Sequence, residues 1–184
     1  NRMVKKALGT GVCEKLRTNV KSERRQSCER AAAAIAGNHP EVKLLGDATL
    51  EMLEEVKDKI SEEDYMRATY AIQENSRLAD TCEALKRGDY ETVGKNIYAT
   101  HHGMSKLYEV STEELDFLND VAKECGVTGS RIMGGGFGGC TINLVKDAYY
   151  DRFIETAISR FKTKFGKEPK VYPVTISDGA RKLN

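Results

Sequence analysis

Five of the six residues from Gly134 to Gly139 are glycine, interrupted only by Phe137. Glycine reaches positive φ and lets one backbone approach another, but ordering it on folding costs more conformational entropy than ordering any other residue. A cluster this dense needs geometry that only glycine permits. Its flanks are β-like, Ser130-Arg131-Ile132-Met133 before and Cys140-Thr141-Ile142-Asn143-Leu144-Val145 after, so the run reads as a loop between two strands. Two roles fit it. Backbone N–H groups can turn inward as an anion-binding nest with Phe137 as the loop's apolar anchor, or the glycines can simply allow tight packing in a wide hairpin. A Walker A loop is excluded, because Gly139 is followed by Cys140 where Lys and then Ser or Thr are required. The spacing Gly134-x-Gly136-x-x-Gly139 matches a dinucleotide fingerprint formally, but that motif opens a helix and Cys140 to Val145 is β-like.

Ahead of Gly129 the chain is dominated by helical spacing. Between about Glu14 and Ile35, Cys28, Ala31, Ala32 and Ile35 recur three or four residues apart, and Gly37-Asn38-His39-Pro40 ends the helix. Leu50, Leu53, Val56 and Ile60 repeat at helical spacing. Ser61-Glu62-Glu63-Asp64 opens a helix reaching Arg87, with Met66, Tyr70, Leu78, Cys82 and Leu85 as its apolar stripe and a polar contact expected at Gln73-Glu74-Asn75. A fourth helix runs from about Glu91 to Tyr108 along Val93, Ile97, Met104 and Leu107. A fifth starts at Ser111-Thr112-Glu113-Glu114, capped by the Ser, and continues through Leu115, Leu118, Val121 and Ala122 to Gly126. After the two strands come a helix from about Ala148 to Phe165 and a strand from Val171 to Ile176. Helices segregated ahead of three late strands predict an α+β fold, several helices packed on one face of a small, mostly antiparallel sheet, in a single domain spanning residues 1–184.

The chemistry-bearing residues outside the loop form no obvious catalytic set. His101 and His102 are adjacent on a helix, so their rings diverge by about 100° and cannot share one metal; hydrogen-bonded or solvated histidines are expected. The acidic groups at Glu54-Glu55, Glu62-Glu63-Asp64 and Glu113-Glu114 lie where they complement helix dipoles. Arg24, Arg25 and Arg30 with Lys15, Arg17 and Lys21 read as a solvated helix face or a domain-contact surface, since no aromatic residues are interleaved to stack bases. Lys and Arg number 29 against 28 Asp and Glu, a formal charge of +1, which offers no global field for nucleic acid or an anionic membrane. The longest apolar run, Ala31 to Ala36, is far short of the ~20 residues that span a bilayer. Asn1-Arg2-Met3-Val4-Lys5-Lys6 has no apolar segment behind its charges, and a cytoplasmic location is expected. Cys13, Cys28, Cys82, Cys125 and Cys140 are odd in number and widely spaced, which predicts buried reduced thiols rather than disulfides or a zinc site.

Gly129-Ser130-Arg131-Ile132-Met133-Gly134-Gly135-Gly136-Phe137-Gly138-Gly139-Cys140-Thr141 closely resembles the third conserved motif of galactokinases, members of the GHMP sugar-kinase superfamily. Tyr70-Ala71-Ile72-Gln73-Glu74-Asn75-Ser76-Arg77, His101-His102-Gly103-Met104-Ser105, Tyr108-Glu109-Val110-Ser111, Glu114-Leu115-Asp116 and Ser177-Asp178-Gly179-Ala180 are similar to the family in the same order. The resemblance implies a GHMP kinase C-terminal domain whose loop, Gly134, Gly135, Gly136, Phe137, Gly138 and Gly139, packs beside the ATP phosphates and the sugar. The family's first and second motifs do not occur here. The resemblance therefore places the catalytic Asp, its Arg partner and the Mg ligands in an N-terminal half outside this chain, with ATP and Mg bound mainly there. No catalytic residue and no metal ligand is assigned to this chain, and alone it is expected to be inactive. The implied partners are galactose, ATP and that N-terminal half. Val4-Lys5-Lys6-Ala7-Leu8 resembles the family strand that precedes a sugar-contacting Tyr, but the Tyr position falls on Cys13 counted forward and on Lys21 counted backward from Arg24-Arg25. A non-catalytic, galactokinase-like sugar-binding or regulatory module is the alternative.

Overall fold

In a computed structural model that describes residues 3–13 and 18–174, the sheet has four strands. The first, β1 (Met3–Cys13), precedes every helix; β2 (Gly129–Met133) and β3 (Gly138–Lys146) flank the glycine run; β4 (Lys170–Val174) closes the described chain. Their order is β2-β3-β1-β4 and every pairing is antiparallel. The three late strands read from spacing are joined by a fourth from the far N-terminal side, which contains the Val4 to Leu8 segment that resembles a family strand, and it occupies the interior of the sheet. Its sequence, MVKKALGTGVC, hides the strand behind two lysines and two glycines; ladder partners on both sides supply what alternation does not. Strands β1 and β2 run the same way with β3 between them, the split βαβ arrangement of ferredoxin-like folds.

One sheet face carries Leu8 and Val145 against α5 (Glu113–Glu124) and α6 (Tyr150–Phe165). There Leu118, Val121, Ala122, Phe153, Ala157 and Phe161 are buried with them. A second core lies away from the sheet, where α1 (Thr18–Ala36) and α3 (Glu62–Lys86) enclose Ala31, Ile35, Ala68 and Ile72 together with Leu53 and Val56. The helical spacing from Leu50 to Ile60 resolves into a short helix, α2 (Leu50–Glu54), and a 3-10 turn at Lys57–Lys59. Two turns bury Leu53 and Val56 as well as one continuous helix would.

Helix α4 (Tyr90–Lys106) packs so closely on β2 that a Cβ at Gly94 would stand 2.0 Å from the Thr128 carbonyl oxygen. The α3 stripe departs from expectation. Leu78, Cys82 and Leu85 are exposed, while Ala68, Ile72 and Ala84 are buried with Asp64 and Arg67, because the second half of α3 turns Ala84 toward α4 and β3. At the start of α5 the cap is Thr112, whose hydroxyl accepts from the Leu115 N–H; the expected cap, Ser111, instead donates to Asp116 at 2.5 Å. Helices also touch both faces of the sheet rather than one, since Leu144 meets Ala84 and Val93 on the side away from α5 and α6. No helix among the described residues is long and apolar enough to cross a membrane.

Candidate active-site loop

The glycine run is the connection between β2 and β3, and its backbone shows why glycine recurs there. Gly134, Gly136, Gly138 and Gly139 have φ of 84°, 79°, 104° and 89°, a region in which a side chain is strained. At Gly136 there is no room besides: a Cβ would lie 2.1 Å from the Val110 carbonyl oxygen. Phe137 takes a positive φ of 58° without being glycine. It is held there by its N–H, which donates to the Val110 carbonyl at 2.7 Å, and by its ring, which packs with Met104, Val110, Leu115 and Ile132 beside Tyr70 and Tyr108. Phe137 is the anchor expected from sequence. Gly134, Gly135 and Gly139 are exposed, and a Cβ at Gly134 or Gly139 would meet nothing within 4 Å. The loop is therefore packed on one side and open on the other.

Arg24 on α1 fixes the wall against which the loop rests. Its Nε donates to the Tyr108 carbonyl at 3.2 Å and its Nη2 to the Glu109 carbonyl at 3.0 Å, and its guanidinium lies 5.5 Å from the centroid of the Phe137 ring. Arg67 on α3 is 3% exposed and supports the same turn, donating from Nη1 to Ser27 Oγ at 2.9 Å and from Nη2 to Glu109 Oε2 at 3.1 Å, with Glu63 as a further partner. Arg24 was expected on a solvated helix face or a domain-contact surface; it is buried within this chain, whereas Arg25 is exposed. The signal was in the spacing: Arg24, Ser27, Ala31 and Ile35 recur three or four apart along the buried stripe of α1. Arg30 likewise has a specific partner, making two 2.7 Å bonds to Asp64.

The phenols and thiols around the loop are kept protonated. Burial, with Cys28 adding to it, pushes the Tyr108 phenol to about 12, and burial raises Tyr70 to about 12. Burial also raises the Cys140 and Cys28 thiols. Cys82 is exposed and Cys28, Cys125 and Cys140 are half-buried, so the described thiols are free, as expected, but none is fully buried. His101 is the hydrogen-bonded member of its pair: it meets Asp116 at 3.1 Å through Nε2, and Ser105 bonds the same carboxylate at 2.8 Å. Burial opposes ionisation of Asp116, but the bonds from His101, Ser111 and Ser105 outweigh it and hold that carboxyl at about 2. Glu74 makes the polar contact expected of its segment, accepting from Thr100 at 3.0 Å and pairing with Arg77.

The register places the backbone of Cys13 opposite Gly138, after an irregularity in β1 that begins beyond Gly9, and the Thr10 hydroxyl donates to the Gly139 carbonyl at 2.9 Å. One of the two positions on which the family's Tyr falls is thus brought to the loop by its main chain; the side chains of Cys13 and Lys21 lie outside the described residues. Among the described residues no group of three or more His, Cys, Asp or Glu side chains could hold a metal ion.

A family profile described as "GHMP kinases C terminal" matches residues 82–163, a stretch that contains α4, α5, the glycine loop and most of α6. Over that stretch the chain is similar to the C-terminal domain of GHMP kinases. It is 40% identical over 164 residues to a galactokinase of Fusobacterium nucleatum and 41% identical over 165 residues to one of Clostridium acetobutylicum. Those alignments cover 88% and 89% of this chain, and the chain spans about 42% of the length of these curated relatives. The crystal structure of Lactococcus lactis galactokinase complexed with galactose superposes on the whole chain with a TM-score of 0.89 at 27% identity, over 47% of its own length. L. major mevalonate kinase in complex with R-mevalonate matches with a TM-score of 0.54 at 15% identity, a likeness of fold.

Proposed function

We propose that this chain is the C-terminal domain of a galactokinase that transfers the γ-phosphoryl group of ATP to the anomeric hydroxyl of galactose, and that its glycine loop forms one wall of the cleft in which transfer occurs. The observation that carries the reading is the loop itself: packed against Val110 and Phe137 on one side, open at Gly134 and Gly139 on the other, and met by β1 at Cys13. Phosphoryl transfer depends chiefly on positioning and on donors aimed at developing charge. A rigid loop without side chains at its open edge lets backbone N–H groups approach phosphate oxygens closely, so the residues present suit the phosphate end of a nucleotide. Among the described residues they include no acidic cluster for its Mg, and the phenols and thiols nearby are held protonated. The catalytic carboxylate, its Arg partner and the Mg ligands are accordingly assigned to an N-terminal domain beyond this chain. Free cysteines agree with a reducing, cytoplasmic location.

A coupled assay with galactose and ATP tests the reading on a polypeptide that joins this chain to an N-terminal GHMP domain, beside the 184-residue chain alone. Turnover by the joined protein and none by the chain is expected. Turnover by the chain alone would remove the assignment of the catalytic groups. A joined protein that binds galactose without turnover would favour the second reading, a sugar-binding regulatory module.

A further inference from the structure

The sheet face turned away from α5 and α6 carries Arg131, Ile142 and Leu144, and α3 and α4 close over only part of it. Between them lies a cavity of about 530 Å³, within the range of small-molecule sites. Its walls are largely apolar, from Leu78 and Leu85 on α3, Ile97 on α4, and Ile142 and Leu144 on β3. Leu78 is 63% exposed and Leu85 49%, so α3 turns large apolar side chains into this open space rather than into a core.

Part of the cavity's lining is charged. Glu74 is engaged by the Thr100 hydroxyl and by Arg77. Arg131 has no ion pair and no side-chain hydrogen bond among the described residues, although it lines the same space. Glu74, Arg77 and Arg131 all line the cavity, and the Tyr70 phenol, raised chiefly by burial, lies within electrostatic reach of all three. Two guanidinium groups against one carboxylate leave a surplus positive charge beside an apolar wall.

We infer that this cavity binds a small amphipathic carboxylate, its apolar body against Leu78, Ile97, Ile142 and Leu144 and its head group on Arg131. A guanidinium presents a planar fork of donors that matches a carboxylate bidentately. The inference stands apart from the kinase reading: the lining includes no residue of the glycine loop, and the ligand is neither sugar nor nucleotide. Arg131 nevertheless shares β2 with the approach to Gly134, so the head group would rest three residues from the loop.

Sodium octanoate and 1-octanol, which share an apolar body and differ in charge, test this by NMR titration of the methyl-labelled 184-residue chain. Octanoate is expected to give saturable shifts confined to the Leu78, Leu85, Ile97, Ile142 and Leu144 methyls. Arg131→Met should weaken octanoate at least tenfold and leave octanol unchanged. Leu78→Glu alters an exposed residue, keeps the fold, and should weaken octanoate by like-charge repulsion while affecting octanol less. Shifts spread to the Leu53 and Phe161 cores, octanol binding as tightly as octanoate, or octanoate binding to Arg131→Met as to the wild type would each overturn the inference, as would no saturable shift at all.

Discussion

Replacing Arg24 by Met keeps most of the apolar stem and removes the guanidinium. Two hydrogen bonds to the Tyr108 and Glu109 carbonyls, at 3.2 and 3.0 Å, are lost; bonds to charged groups contribute roughly 1.5–3 kcal/mol each, and the carbonyls left behind are part-buried. The ring contact with Phe137 at 5.5 Å adds about 0.5–1 kcal/mol. The ion pairs to Glu23 and Glu109, at 3.6 and 3.8 Å with both carboxylates largely exposed, add little. Allowing for a Met side chain that still fills the site, Arg24→Met should destabilise by about 2–4 kcal/mol, which for a domain of this size lowers Tm by roughly 5–12 °C. Arg25→Met is the control: that side chain is 81% exposed in an i,i+4 pair with Glu29, and its loss should cost ~0.5 kcal/mol or less. Urea denaturation gives the energies, and hydrogen exchange at the Phe137 N–H reports the loop directly, because its acceptor belongs to the turn that Arg24 holds. If Arg24→Met unfolds and exchanges like Arg25→Met, the turn needs no guanidinium and the reasoning fails.

Gly136→Ala drives a Cβ against the Val110 carbonyl in a backbone already at φ 79° and should cost on the order of 3 kcal/mol; Gly139→Ala, with open space at its Cβ, should cost ~1 kcal/mol, and equal losses in denaturation would contradict the close approach. Gly94→Ala should separate α4 from β2, since the Thr128 carbonyl occupies the Cβ position, and should cost at least as much as Gly136→Ala by the same measurement. The Asp116 carboxyl, lowered from 3.8 to about 2 in the fold, contributes stability that is fully present above its unfolded value and disappears as pH falls through about 2. With the side chain about one-third exposed, the contribution is ~1–2 kcal/mol. Stability measured between pH 5 and 2 should therefore fall less steeply for Asp116→Asn than for the wild type, and parallel curves would show that the carboxyl titrates normally.

Much of the fold was legible because its signals are local. The caps at Ser61 and Thr112 and the stop at Gly88 fall at or beside their expected places, and the α5 and α6 stripes bury as their spacing requires. The loop was legible for the same reason, since five glycines announce backbone demands without reference to the rest of the chain. What spacing and propensity alone did not show was set by partners distant in sequence, although the resemblance of Val4 to Leu8 to a family strand did mark β1. β1 becomes a strand because β3 and β4 flank it, and its lysines and glycines give it little propensity of its own. Leu78 and Leu85 look like core at helical spacing, yet which stripe of a long helix is buried depends on where α4 and β3 lie, and they lie against Ala84.

The candidate site shows how a flexible sequence can yield a fixed loop. Glycine at five positions removes side-chain packing as a source of order, so order must come from what the backbone rests on. Val110 supplies it by accepting the Phe137 N–H while its own N–H donates to the Met104 carbonyl at 2.9 Å, tying the loop to the end of α4. The turn before Val110 includes Glu109 at φ 53°, a second strained residue, and Arg24 and Arg67 from two other helices hold it. Strain at Glu109 and at Phe137 therefore occurs on the two sides of one hydrogen bond, and each conformation is over-determined by contacts from elements that the sequence keeps far apart. A loop built this way can present its backbone at the open edge without collapsing, which is the property a phosphate-facing wall requires.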